Sequence, residues 1–448
     1  MFSTLTHRSS KYWVGLVEVE IVTLPDAMGY AAEAEVAAPT IRGGSDINSV
    51  PARTASPEEI LVVQPWIRLG GAELVSIHLA HELERLGRST GIACVFLDLK
   101  GLPEWAGGLQ YHLPPRWLAE RMRKSRLLFL LFGPWILLGL LWKHSKGAQI
   151  LNPHNFPATW VASVVGAFRR IPVVWFCNEP PTRVPLRDAF KVGLPDYLGW
   201  FVASSWLDRL FVKGIAGVGV PSAMTQAQTQ SRYRRLVEII HVGVDADFFC
   251  SNDGSDPRRT FGLVGKYVLL CIGKLHPQKN QVVCLQALKE LVEHIPNAML
   301  VLAGDGPSAD ELKSLTRRWG LQEHVLFTGH VDAITARQLF QACDVNLVPA
   351  INQSWGFTAF EALCTGKVSV VSQSAGGAAE ILSENRIGLA CEPTGHAFAQ
   401  AILHLYRDGE TYSRFSMVGR EHVLRHLTWQ AFARRNVDMF DAQLGIRT

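Results

Sequence analysis

From residue 59 onward the chain alternates two textures. Short apolar runs rich in β-branched residues, such as ILVVQPW, ACVFLDL, AQILNPH, IPVVWFCNEPP and IAGVGVPS, are separated by segments whose apolar positions recur at helical spacing, as in AELVSIHLAHELERLG. A continuous apolar run bounded by turn residues predicts a strand in a parallel sheet covered by helices on both faces. The second half repeats the rhythm with YVLLCIGKL, AMLVLAGDG, HVLFTGHV, DVNLVPA and VSVVSQ. Two such series predict two doubly wound α/β domains, residues 59–245 and 246–425, separated where Gly, Asp and Ser cluster in HVGVDADFFCSNDGSDPRR. Ligands of open α/β sheets sit beyond the carboxyl ends of the strands, so two facing sheets share one cleft. Residues 426–448 form a closing amphipathic helix, with Trp429, Phe432, Val437 and Phe440 broadly on one face.

Two segments depart from the rhythm. Residues 1–58 are rich in Ala, Ser, Pro and Gly without a period, and read as a poorly ordered extension. In RMRKSRLLFLLFGPWILLGLLWKHSKG, the sixteen residues from Leu127 to Trp142 carry no charge and are bracketed by basic clusters. A helix of that length spans about 24 Å, short of the ~30 Å hydrocarbon core of a bilayer. It predicts either a buried helix or an element lying in the membrane interface. In the second case residues 121–146 are a peripheral membrane contact, with Arg121, Arg123, Lys124, Arg126, Lys143 and Lys146 near anionic lipid heads.

Composition narrows the partners. Of 448 residues, 48% are hydrophobic and 19% charged, with a net charge of +4. That mild excess does not point to nucleic acid, and it suits an anionic small molecule or membrane surface. Eight cysteines lie scattered without a CxxC pair, which predicts reduced core thiols. Glutamates interrupt the early apolar run KYWVGLVEVEIV, so no secretory signal is expected. The expected location is cytoplasmic, on the cytoplasmic membrane face if residues 121–146 form the interfacial element rather than a buried helix.

Five segments, LGGAELVSIHLAHELERLG, NPHNFPA, GKLHPQKN, AGDGP and SWGFTAFEALCTGKVSVVSQSAGGAAEIL, occur in an order and spacing that resemble the retaining family 4 glycosyltransferases, the glycosyl transferases group 1 of the GT-B fold. The resemblance covers about residues 59–440. It implies two Rossmann-like domains facing a cleft, an acceptor-side N-terminal domain, a nucleotide-sugar-binding C-terminal domain, and a last helix that crosses back to the first. It further implies transfer of a hexose-type sugar from a nucleotide diphosphate sugar to a glycan or lipid-linked acceptor, with retention and without a cofactor.

The residues support site assignments of differing strength. Gly70 and Gly71 form a strand-to-helix turn whose backbone can approach an anion; in enzymes of this kind that loop lies against the donor diphosphate. Lys274 and Lys279 can neutralise a departing diphosphate, although the family generally has arginine at the first position and lysine lacks the bidentate fork. Gly304 and Gly306 allow the sharp turn of AGDGP, near the nucleotide in relatives. N–H groups around Gly356 and Phe357 would face a phosphate or sugar hydroxyl. Glu361 sits among Phe360, Ala362 and Leu363, where a carboxylate is costly without donors; the matching residue in the family takes the ribose.

Gln353, eight residues earlier, stands where the family commonly has glutamate. Its amide can hold sugar hydroxyls but cannot form a glycosyl ester. His154, past a strand end, matches a histidine that contacts the donor sugar. His154, Gln353 and Glu361 are thus the candidate catalytic set, with Asn178 and Glu179 as weaker acceptor-side candidates. No metal site is expected, since the only aspartates two positions apart, Asp245 and Asp247, fall at the domain boundary. Two other readings stay open: an inactive sugar-nucleotide-binding paralogue, favoured by Gln353 and Lys274, and a nucleotide-sugar epimerase of the same fold.

Overall fold

The computed structural model describes residues 10–14, 17–21, 59–181, 198, 201–202, 204–252 and 254–446. The chain divides into two compact units, Met1–Pro51 and Ala52–Thr448. In the first unit the strands Ser10–Val14 and Val17–Ile21 pair antiparallel. The remainder of the extension expected over residues 1–58 lies outside the described residues.

The second unit contains two parallel systems. In the first, strands run in the order Tyr111–His112, Thr90–Ala93, Ile60–Val63, Ile150–Pro153. A single parallel bridge, Leu151 to Val173, joins them to Val174–Phe176, Gly217–Val220 and Glu238–Ile239. The other sheet runs Val325–Gly329, Ala298–Ala303, Tyr267–Ile272, Val345–Val348, Val368–Ser372, Leu389–Cys391, parallel throughout. Both therefore wind outward from their first strand, reverse, and wind out the other way. The doubly wound α/β architecture expected from the alternating runs is present. Its physical cause is visible in Ile60–Val63, Ile150–Pro153 and Val368–Ser372, where every residue is buried because helices cover both faces.

The two systems meet at two chain crossings. Val244 N–H donates to Leu427 O at 2.8 Å, and Val244 bridges Thr428 in parallel fashion. The helix Trp429–Leu444 then returns along the helix Gly71–Arg85 of the first system, burying Trp429, Phe432, Met439 and Phe440. At its far end Arg88 Nη2 lies 2.9 Å from Asp441 and 2.7 Å from Glu59. The His78 and Trp429 rings stack with centroids 4.2 Å apart. All eight cysteines are free.

Gly243 lies where the two crossings touch. A Cβ there would stand 2.4 Å from Trp429 N and 2.6 Å from Thr428 C, which are backbone atoms that no rotamer change can move aside. Gly243→Ala is expected to destabilise the protein by about 1–3 kcal/mol, the usual cost of overpacking against a rigid neighbour. Urea denaturation measures it, and a midpoint unchanged from wild type would show that the crossing is loose.

Candidate active site

In a sheet wound this way, the crevice opens between the first strand and the one that starts the return. In the first system those strands are Ile60–Val63 and Ile150–Pro153, with Val63 opposite Pro153, so Gln64 and His154 leave the sheet side by side. In the second they are Tyr267–Ile272 and Val345–Val348. The segments leaving them carry Gly273, Lys274 and Lys279 on one side and Gln353, Gly356 and Phe357 on the other.

The loops of the second system are tied to one another. Ile351 N–H donates to Gln278 O at 3.0 Å, and Leu275 N–H donates to Asp305 O at 2.9 Å. Gly304, at φ 145°, passes so close to Gly273 that a Cβ would lie 2.0 Å from its carbonyl oxygen. Gly306 meets Leu275 O in the same way. Gly356 adopts φ 90° and starts the helix Phe357–Cys364, whose first turn has no side-chain cap. Gly376, at φ 53°, lets the next loop close over the carbonyls of Gln353 and Ser354. Beneath, the buried Asn346 donates to Thr358 O and Ser369 Oγ, both at 3.1 Å, and Ser369 Oγ donates to Ala359 O at 3.1 Å. Two polar residues inside apolar strands thus tie the first turn of that helix to the sheet.

Several polar groups around the crevice are buried without a partner among the described residues: both side-chain polar atoms of Gln64, Nδ1 of His154, Nδ2 of Asn178, Oε1 of Gln353 and Nε1 of Trp355. Buried polar atoms are nearly always paired, so these are candidates to meet a polar ligand, although others of the same kind, such as Ser145 Oγ, Arg235 Nε and Tyr267 Oη, lie elsewhere. Gln64 escaped the sequence reading. Its only signal is a polar residue, followed by proline, at the end of the apolar run ILVVQPW.

Charge and protonation follow from burial. Asn152 Nδ2 donates to Val174 O at 2.7 Å, which turns its Oδ1 toward His154 Nε2 at 2.9 Å. Nε2 therefore carries the hydrogen, and Nδ1 presents a lone pair. Burial keeps this imidazole neutral, with a pKa down to about 3. Burial, and secondarily the Asp245 carboxylate, push Glu361 up to about 7. Asp245 also caps the helix Ala246–Cys250, accepting from Phe248 N–H at 3.1 Å. Burial pulls Lys279 down, while Cys271 and Glu179 oppose that shift. Lys274 is exposed at the rim.

Contacts also cross the cleft. Glu380 accepts from Ala223 N–H and Met224 N–H, each at 2.8 Å. A Cβ on Gly71 would come within 3.3 Å of the Phe357 ring. His241 and Trp355 rings lie 5.6 Å apart. The structure thus brings Gly70, Gly71, His154, Asn178, Glu179, Lys274, Lys279, Gln353, Gly356, Phe357 and Glu361 to the facing strand ends and the helices that start there. A cavity of about 700 Å³ lined by Cys250, Gln341, Cys364, Arg420 and Arg425 contains none of them.

Residues 69–248 match the model of Glycosyltransferase Family 4, and residues 257–422 match that of Glycosyl transferases group 1. The chain belongs to the group 1, family 4 glycosyltransferases. Among relatives of this glycosyltransferase is the GDP-mannose-dependent alpha-(1-6)-phosphatidylinositol monomannoside mannosyltransferase of Mycobacterium tuberculosis, 27% identical over 291 residues, 60% of this chain and 75% of that protein. Another is D-inositol 3-phosphate glycosyltransferase 2 of Catenulispora acidiphila, 29% identical over 221 residues, 46% of this chain and 51% of the relative. Anabaena HepE in complex with UDP superposes with a TM-score of 0.68 at 19% identity, covering 86% of this chain and all of that one. That likeness confirms the GT-B fold.

The buried histidines of this glycosyltransferase make its stability pH-dependent. Burial holds His78 and His154 down to about 3, while the unfolded chain protonates them near 6.5. Between those values the unfolded state binds more protons, so stability falls as pH falls, by about 1.4 kcal/mol per pH unit for each histidine. Glu361, raised to about 7, acts in the opposite sense as pH falls from 7 toward its unfolded value. His154→Gln should flatten the acid-side loss by one proton in urea titrations between pH 6 and 4.5. An unchanged slope would mean that His154 is not the neutral, buried group described.

Proposed function

We propose that this glycosyltransferase moves a hexose-type sugar from a nucleoside diphosphate sugar to a hydroxyl of a glycan or lipid-linked acceptor, with retention and without a metal ion. The observation that carries the reading is the pair of facing crevices. The second offers an uncapped helix N-terminus and two lysines; the first offers uncharged, unpartnered amides and a neutral imidazole. An anionic diphosphate fits the former and sugar hydroxyls the latter.

In this reading the diphosphate lies between the Gly70–Gly71 turn and the first turn of Phe357–Cys364, with Lys274 and Lys279 compensating its charge. The loops of Gly304 and Gly306 border the nucleotide, and Glu361 accepts from the ribose diol. His154 Nδ1 accepts from a hydroxyl of the transferred sugar, and the Gln353 amide holds another. Asn178 and Glu179 face the acceptor. The sugar C1–O bond to the diphosphate breaks, and the acceptor oxygen bonds to C1 on the same face. A phosphate oxygen of the leaving group takes the acceptor's proton. Gln353 supports this route because an amide cannot form the glycosyl ester that a two-step displacement requires.

Two measurements test the reading. GDP-mannose, the donor in the mycobacterial relative's name, and UDP-glucose are incubated with phosphatidylinositol-type and glycan acceptors in EDTA, and the product's anomeric proton is read by NMR. An α product from an α donor is expected, and Lys279→Ala should lower kcat/KM by roughly 100-fold. A β product, or dependence on added metal, overturns retention or metal independence respectively. Donor binding without turnover favours the inactive paralogue to which Gln353 points.

The second measurement uses the raised Glu361 pKa of about 7. Accepting two ribose hydroxyls favours the ionised carboxylate, so nucleotide-sugar affinity should rise about tenfold from pH 6 to pH 8. Titration calorimetry of wild type and Glu361→Gln checks this. A pH dependence that survives in the variant would assign it to another group.

A further inference from the structure

The apolar segment Leu127–Trp142 folds into one helix, Arg126–His144, that the domain covers on one side alone. Gly133, Leu137, Leu140 and Leu141 are buried, with Leu137 and Leu141 in a cluster with Val63, Val95 and Ala162. Leu127, Leu131, Trp135 and Trp142, spaced four, four and seven residues apart, are exposed along another stripe. Exposure reaches 54% at Leu131 and 70% at Trp135, with 75% at Phe168 and 67% at Trp206 on neighbouring helices. These helices adjoin: the Trp142 and Phe168 rings are 6.3 Å apart, and Trp160 of Ala158–Arg169 stacks on Phe211 of Trp206–Lys213 at 4.6 Å. Trp117, on the helix Arg116–Lys124, is exposed as well. A contiguous apolar patch of this breadth on a globular domain marks an interaction surface.

We infer that this face docks the protein onto an anionic lipid bilayer, lying in the interface without crossing it. Three observations select a bilayer. Between residues 116 and 146 there are seven basic side chains and one acidic one, Glu120, and the basic groups, Arg116, Arg121, Arg123, Lys124, Arg126, Lys143 and Lys146, are all exposed. Such a collar around an apolar stripe complements anionic head groups. A second copy of the chain would bring the same basic collars face to face. The exposed aromatics include Trp117, Trp135, Trp142 and Trp206, and tryptophan favours the level of the head groups. Spanning is excluded by the buried stripe, because Leu137 and Leu141 would have to leave the domain core.

The docked face connects with the candidate active site. Phe129, on the same helix, meets the Trp66 ring edge-on at 5.3 Å. Trp66 Nε1–H donates to Glu73 Oε1 at 2.6 Å, in the first turn of the helix that begins at Gly71. The bilayer would thus lie beside the crevice of the first system, where a lipid-linked acceptor can enter without leaving the membrane.

Vesicle flotation tests docking independently of any transfer reaction. The full chain should float with phosphatidylcholine vesicles containing about 30% phosphatidylglycerol, and binding should weaken as salt rises. Leu131→Glu with Trp135→Glu should weaken binding at least about tenfold, and Lys124→Gln with Lys146→Gln should weaken it several-fold at low salt. Thermal melts and nucleotide-induced shifts should stay at wild-type values, since all four side chains are exposed. Should the glutamate pair fail to fold, quenching of wild-type tryptophan fluorescence by brominated phospholipid reads insertion without a substitution. Failure to float, flotation unaffected by the glutamate pair, absence of quenching, or a dimer that this pair dissolves would each overturn the inference.

Discussion

Two sheets become one site only if something holds their strand ends opposite each other, and the contact that does so most directly is the Glu380 carboxylate. It accepts the N–H groups of Ala223 and Met224 at 2.8 Å, while Ser222 Oγ serves Thr225 N–H at 3.2 Å. The N-terminal donors of one system's helix are thereby satisfied from the other system. Charge-assisted bonds of this kind are roughly twice as strong as neutral ones, and the helix dipole adds to them. Away from the cleft, Asp441 on Arg88 and the backbone crossing at Gly243 determine where the closing helix returns. The Glu380 and Arg88 contacts are made by side chains, whereas the crossing at Gly243 is backbone against backbone and cannot part without disrupting it.

The strand runs and their grouping were legible because a doubly covered parallel sheet leaves no exposed face to interrupt an apolar run. Several glycine turns were legible too: Gly304, Gly306 and Gly356 occupy conformations that side chains avoid; Gly376, which does the same, was not among them. The polar interior was not. Gln64, Asn152, Asn346 and Ser369 lie in or beside apolar strands, where each reads as a local blemish. Their meaning depends on partners distant in sequence, such as Val174 O for Asn152 and Thr358 O for Asn346. The apolar helix Arg126–His144 was ambiguous because pattern alone cannot tell a helix buried all round from one with a free face. Burial of Leu137 beside exposure of Trp135 resolves it.

The unpartnered groups bear on closure as well as on ligand choice. A buried polar atom without a partner costs about 1–3 kcal/mol. Gln64, His154, Asn178, Gln353 and Trp355 can each form a hydrogen bond with a polar ligand. Glu361, half-neutralised near pH 7, adds a carboxylate without a hydrogen-bond partner among the described residues. In the proposed function the hydroxyls of a nucleoside diphosphate sugar would supply partners to these groups in both systems. A ligand that bonds groups of both systems favours the arrangement in which they face each other, by the difference in its contacts between the two states.

That logic places the first system under two influences. Its crevice is shaped from one side by the closing contacts, through Gly71 against Phe357 and His78 against Trp429. From the other side it is shaped by the exposed helix, through Phe129, Trp66 and Glu73. Glu73 is the junction. Burial raises its pKa, and the Trp66 indole N–H offsets part of that cost. A shift of the helix that withdrew Trp66 would remove one donor to this carboxylate, leaving its own backbone N–H and the nearby Arg68, and so favour its neutral form at the start of the Gly71 helix. The charge of Glu73 therefore depends on the packing of an outward-facing helix, and under the proposed function that charge lies beside the donor diphosphate.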